Sequence, residues 1–133
     1  MNTVQFGYHM TLDFYGCPLK CLTDMSLCYK ILDELPVILQ MNKLSPPFVI
    51  DAIGNEADGG KDPGGISGYI VIAESHISIH TFAKRGFVSM DVYSCKKFDY
   101  KIAENFLTEI FIPQDKEIHT IDRGTRYPSV NIY

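Results

Sequence analysis

Tryptophan is absent from the 133 residues, and no residue type, charge sign or repeated unit dominates them. Lys and Arg together number 12 against 16 Asp and Glu, for a net charge of -4. With no basic cluster to meet a phosphate backbone, nucleic acid is not the expected partner. No apolar run approaches the roughly 20 residues that cross a bilayer, so no membrane span is expected. The start, MNTVQFGYHM, lacks the basic end and apolar centre of a secretory signal, and the expected location is the cytoplasm. The four cysteines, Cys17, Cys21, Cys28 and Cys95, lack the paired CxxC spacing of a zinc site. Cytosolic thiols stay reduced, and packing is the expected role of the first three. Neither a GxGxxG nor a Walker pattern occurs, so the glycine-rich stretch 54–65 is not a phosphate loop.

What is present is the composition of a soluble globular chain, 46% hydrophobic and 21% charged, long enough for one domain over residues 1–133. From Val4 to Phe14 every even position is apolar while the odd ones include Gln5, His9, Thr11 and Asp13, the alternation of a half-buried strand. Residues 18–35 carry Leu19, Leu22, Met25, Ile31, Leu32 and Leu35 at mostly helical spacing, which predicts one amphipathic helix ending at Pro36. Strands are expected at 48–53, 66–73, 76–82, 86–95 and 117–122, and a second helix from Tyr100 to Phe111. Short connections make the central three a meander. Together these elements predict an α+β fold, a two-layer sandwich with an antiparallel sheet covered by helices on one face.

The chemistry lies in AESHISIHTF, residues 73–82. A hairpin turn ordinarily uses residues tolerant of positive φ, and Glu74-Ser75 offers none of that tolerance. A serine at a tight bend can attack the carbonyl carbon of the residue before it, replacing the amide with an ester. Elimination of that ester breaks the chain after Glu74 and leaves a dehydroalanine, which hydrolyses to a pyruvoyl group and ammonia.

The run SGYIVIAESHISIHTF, followed by VYSC and preceded by HMTLDFYGC at 9–17, resembles the prokaryotic-type, pyruvoyl-dependent S-adenosylmethionine decarboxylase proenzymes. The resemblance implies cleavage between Glu74 and Ser75, with a β chain of residues 1–74 and an α chain of 75–133. It makes Ser75 the precursor of a covalent pyruvoyl group that forms a Schiff base with a substrate amine. His80 matches a histidine that assists processing and moves protons, Cys95 a cysteine that returns a proton to the substrate carbon, and Ser67 a serine that orients the scissile peptide. No metal is required. The implied partner is a small amino-acid-type molecule, S-adenosylmethionine by default, in polyamine and spermidine synthesis. A homodimer of cleaved αβ units is implied as well.

The chain departs from the family pattern around the substrate. Where Trp-Pro-Glu usually follows His-Thr, it has Phe82-Ala83-Lys84, and Lys61 stands where an aromatic ring is common. A lysine cannot accept hydrogen bonds from ribose hydroxyls. These departures leave open a basic amino acid, ornithine or arginine, with Asp13, Glu56, Asp58 and Asp62 as candidate carboxylates for its distal cation. A non-catalytic regulatory relative is the alternative from another class, and the joint presence of Ser75, His80 and Cys95 counts against it.

Overall fold

Among the described residues, alternating apolar residues build a six-stranded antiparallel sheet, whose strands follow one another across it in the order Phe48–Ala52 (β3), Gly65–Ile72 (β4), Ser75–Phe82 (β5), Phe87–Ser94 (β6), Gly7–Tyr15 (β2) and Asp115–Arg123 (β7). The computed structural model describes residues 2–55 and 59–133, so Glu56 and Asp58 lie outside the described residues. A separate two-stranded clip pairs β1 (Thr3–Val4) with β8 (Tyr127–Pro128). The expected antiparallel sheet with helices on one face is what forms. The clip is too short to leave a periodic signal in the sequence.

Among the described residues three helices cover one face: α1 (Leu19–Leu22), α2 (Met25–Ile38) and α3 (Tyr100–Phe111). The single helix expected over 18–35 is in fact two, because the Asp24 carboxylate accepts from the Leu27 N–H at 3.0 Å and starts a new helix there. Nor does Pro36 end it. Proline lacks only its own N–H, and in the last turn its carbonyl still accepts from the Met41 N–H at 2.8 Å. Asp99 caps α3 in the same way as Asp24 caps α2. Cys28, Ile31, Leu32 and Leu35 of α2, with Ala103, Leu107 and Phe111 of α3, bury against Met10, Leu12 and Phe14 of β2 and the inward residues of β4, β5 and β6.

Thr81 joins three elements through one buried hydroxyl. Its Oγ1 accepts from the Ile66 N–H of β4 at 2.9 Å and donates to the Leu22 carbonyl at the end of α1 at 2.8 Å. Gly65 is required beside it, since a Cβ there would lie 1.8 Å from the Thr81 carbonyl oxygen. Thr81→Val keeps the shape of the side chain but orphans both partners. It should cost about 2–6 kcal/mol, the sum for two buried groups left unsatisfied. The check is urea unfolding in a Ser75→Ala background, which keeps one intact chain: the midpoint should fall with the slope unchanged.

Candidate active site

The turn of the β4–β5 hairpin is Ala73-Glu74, and Ser75 is the first residue of β5, paired with Ile72 on one side and Ser94 on the other. That register sets the end of β6 beside the Glu74–Ser75 peptide. The Cys95 N–H donates to the Glu74 carbonyl oxygen at 2.9 Å. A hydrogen bond there polarises the carbonyl that a Ser75 hydroxyl would attack and stabilises negative charge developing on its oxygen. Ser94 ends the strand: its hydroxyl donates to the Lys96 carbonyl at 2.7 Å and accepts from the Lys96 N–H at 2.9 Å. Of the four cysteines only Cys95 is exposed. Burial pushes the thiols of Cys17 and Cys28 up to about 11 and about 12, where they are poor proton donors or nucleophiles at neutral pH.

Glu74 is itself buried, with 8% of its surface exposed. Burial alone would raise its carboxyl, but hydrogen bonds from the backbone and side chain of Asn42 and the nearby charge of Lys96 outweigh it and hold the group below the usual carboxylate range.

The face of the sheet opposite the helices is polar and aromatic. Strand register lines up Ser67, His80, Ser89, Asp13 and Glu117 as one rung across it. A second rung holds Tyr69, Ser78, Asp91, Thr11 and His119, and a third Val71, His76, Tyr93, His9 and Ile121. All four histidines are therefore on one face. Ser67 Oγ lies 2.9 Å from His80 Nδ1, and the Ser89 hydroxyl donates to Asp13 at 2.7 Å.

Asp91 binds three groups of this face. Ser78 donates to one oxygen, and Nε2 of His9 and of His76 meet the other at 2.7 and 3.1 Å. Burial would raise the Asp91 carboxyl, but the bonds from Ser78, His9 and His76 hold it low. Arg123 Nη1 is 3.4 Å from His9 Nδ1, and a guanidinium only donates, so the His9 proton sits on Nε2, toward Asp91. Arg123 also lies over the Tyr93 ring, 4.5 Å from its centroid.

Beyond His80, Phe82 and Phe87 stack at 5.6 Å between ring centroids, and Phe87 and Tyr15 at 5.2 Å. With Lys61, Asp62 and Arg85 these rings line a depression of about 400 Å³. The Tyr15 hydroxyl donates to Glu117 at 2.5 Å, which pushes it up to about 12. Lys84 does not join them and lines a different depression, with Met25, Ile53 and Pro63.

The candidate residues thus fall into two groups. Glu74, Ser75 and Cys95 gather at one end of the sheet, and Ser67, His80, Phe82, Asp13, Lys61 and Asp62 lie toward the other. His80 lies five positions along the strand from Ser75, about 16 Å away. Asn42 and the Cys95 N–H are the contributors that the sequence reading does not name. Asn42 is 32 positions from Glu74, and a backbone N–H carries no residue signature.

Known proteins share this pattern. The S-adenosylmethionine decarboxylase family pattern matches residues 8–124. The chain is similar to the S-adenosylmethionine decarboxylase proenzyme of Geobacillus kaustophilus, 42% identical over 90% of this chain and 89% of that one. It is 41% identical to the protein of the same name from another Geobacillus strain, with the same coverage. Its fold superposes on the crystal structure of the adenosylmethionine decarboxylase from Aquifex aeolicus with a TM-score of 0.75, covering 96% of this chain and 98% of that one at 23% identity. Matched by the family pattern over residues 8–124 and 42% identical to a relative over 90% of its own length, the chain belongs to the S-adenosylmethionine decarboxylase family.

Proposed function

We propose that this decarboxylase matures by cutting itself between Glu74 and Ser75 and then removes the carboxylate of S-adenosylmethionine, the substrate named for its relatives, in polyamine synthesis. The observation that carries the reading is the Cys95 N–H on the Glu74 carbonyl oxygen, 2.9 Å away, beside a serine that opens the next strand. Ser75 Oγ attacks the Glu74 carbonyl carbon, a C–O bond forms, the C–N bond breaks, and the hydroxyl proton passes to the nitrogen. Loss of the Cα proton at position 75 then expels the Glu74 carboxylate, and one water releases the nitrogen as ammonia. The α chain of 75–133 begins with the resulting pyruvoyl group.

The residues around position 75 fit such a group. When formed, it supplies an electrophilic ketone that takes up the electron pair left as carbon dioxide departs. The remaining work is done by side chains. Cys95, exposed and adjacent to position 75, holds the proton that returns to the substrate carbon. His80, with Ser67 on its Nδ1, assists processing and proton transfer. The rings of Phe82, Phe87 and Tyr15 offer stacking surface for a flat base, which supports S-adenosylmethionine even though Lys61 replaces an aromatic residue.

His80 cannot serve position 75 of its own chain across about 16 Å of strand. A homodimer resolves this. Two copies laid face to face about a twofold axis set the Ser67–His80 group of one against the Ser75–Cys95 group of the other. The helix-free face supports that reading, because Phe48, Ile50, Tyr69, Val71 and Ile121 are exposed there.

Ser75→Ala should remain a single chain on a denaturing gel and release no carbon dioxide; normal turnover by that variant would remove the mechanism. Cys95→Ala should still yield two chains but lose about 10²-fold or more in turnover, the loss typical of a missing proton donor. Full carbon dioxide release would assign the proton to another group. The dimer is tested by complementation. Ser75→Ala and His80→Ala chains, each inactive alone, should regain part of the wild-type activity when co-expressed, since a mixed dimer holds one complete site. A mixture as inactive as its components would contradict the shared site.

A further inference from the structure

The turn that carries the Glu74–Ser75 bond is gripped from the far side of the chain. After α2 the backbone turns at Gln40, whose φ of 59° is in the left-handed region, and its carbonyl accepts from Lys96 Nζ at 2.7 Å. Met41 is buried, which commits the next residue, Asn42, to the hairpin turn. Asn42 makes three hydrogen bonds there. Its backbone N–H donates to Glu74 Oε1 and its side-chain Nδ2 to Oε2, each at 3.0 Å, and its carbonyl accepts from the Ala73 N–H at 2.8 Å.

Among the described residues Glu74 is the one charged side chain in the buried set. Burying a carboxylate is costly unless its oxygens are matched, and Asn42 matches both. The grip also has a geometric effect. With the amide of Ala73 fixed on one side and the carboxylate on the other, the Glu74 backbone cannot rotate without breaking one of these bonds.

We infer that Asn42 is a positioning residue for self-cleavage: by clamping the Glu74 carboxylate and the Ala73 N–H, it holds the Glu74 carbonyl on the Cys95 N–H while Ser75 attacks. The inference rests on the self-cleavage reading above. Asn42 touches none of the atoms that react. It acts through Glu74, on the step in which the Ser75 Oγ–carbon bond forms, the Glu74–Ser75 carbon–nitrogen bond breaks, and the hydroxyl proton passes to nitrogen. After the cut the same clamp keeps the new β-chain terminus in place.

The test follows cleavage of full-length chains made by cell-free translation, sampled over time on denaturing gels. Asn42→Ala removes one hydrogen bond to an ionised group and should slow cleavage about tenfold or more. Asn42→Asp sets one carboxylate against another and should slow it further. The double variant Asn42→Asp/Glu74→Gln restores the pair with donor and acceptor exchanged, the new amide at position 74 donating to the new carboxylate at position 42, and should cleave faster than Asn42→Asp alone. Melting temperatures of the same substitutions in the uncleavable Ser75→Ala background report whether the fold survives. Wild-type cleavage by a folded Asn42→Ala chain, or a double variant no faster than Asn42→Asp, overturns the inference. So does a rate loss no larger than the unfolded fraction. A wild-type chain that stays whole overturns the self-cleavage reading, and the inference with it.

Discussion

At 2.9 Å, the hydrogen bond from the Cys95 N–H to the Glu74 carbonyl oxygen joins the end of β6 to the turn before β5, and the rest of the site is arranged around it. It exists because β5 and β6 pair with Ser75 opposite Ser94, so the first residue past β6 meets the last residue of the turn. Ser94 stops the strand at that point by closing its own turn with Lys96. The bond does two things at once. It draws electron density toward the carbonyl oxygen that would become an oxyanion, and it seats Cys95 next to the residue whose product would need a proton. Asn42 stabilises the same arrangement from the other side, so both flanks of the turn are fixed before any chemistry begins.

The two faces of the sheet divide the remaining work. The face under α2 and α3 is apolar and supplies stability, with Thr81 as its polar tie between β4, β5 and α1. The open face carries the histidines, Asp91, Asp13 and the ring cluster of Phe82, Phe87 and Tyr15. One strand, β5, serves both. Its inward residues Ile77, Ile79 and Thr81 hold the core while His76, Ser78 and His80 point outward. A strand used this way cannot fold its own two ends together, and that is the chemical reason for proposing a face-to-face dimer.

Much of this was legible in the residues. Alternation in β2 and β6 and the spacing of Tyr100–Phe111 locate those elements closely, because burial on one face leaves a period that survives in the sequence. The break before α2 also left a signal, an aspartate three residues before the Leu27 N–H it caps, but the apolar spacing runs through it and hides it. Ser75, His80 and Cys95 stand out as an ordered set. Their separation into two groups follows from strand arithmetic, since His80 lies five positions along β5 from Ser75. What no local pattern conveys is Asn42, which reaches Glu74 only through the turn at Gln40, or the role of Cys95 as a backbone donor. Side chains write themselves into a sequence; amide protons do not. The placement of Lys84 away from Phe82 depends likewise on the short 3₁₀ turn at Ala83–Arg85, which rotates neighbouring residues to different sides.

The measurement that bears most directly on the central claim is the intact mass of the freshly purified chain under denaturing, reducing conditions. The account predicts two masses, residues 1–74 ending in a free carboxylate and residues 75–133 lighter by one ammonia than a chain beginning with serine. A single mass for all 133 residues, or a second fragment that keeps its serine amine, would contradict it.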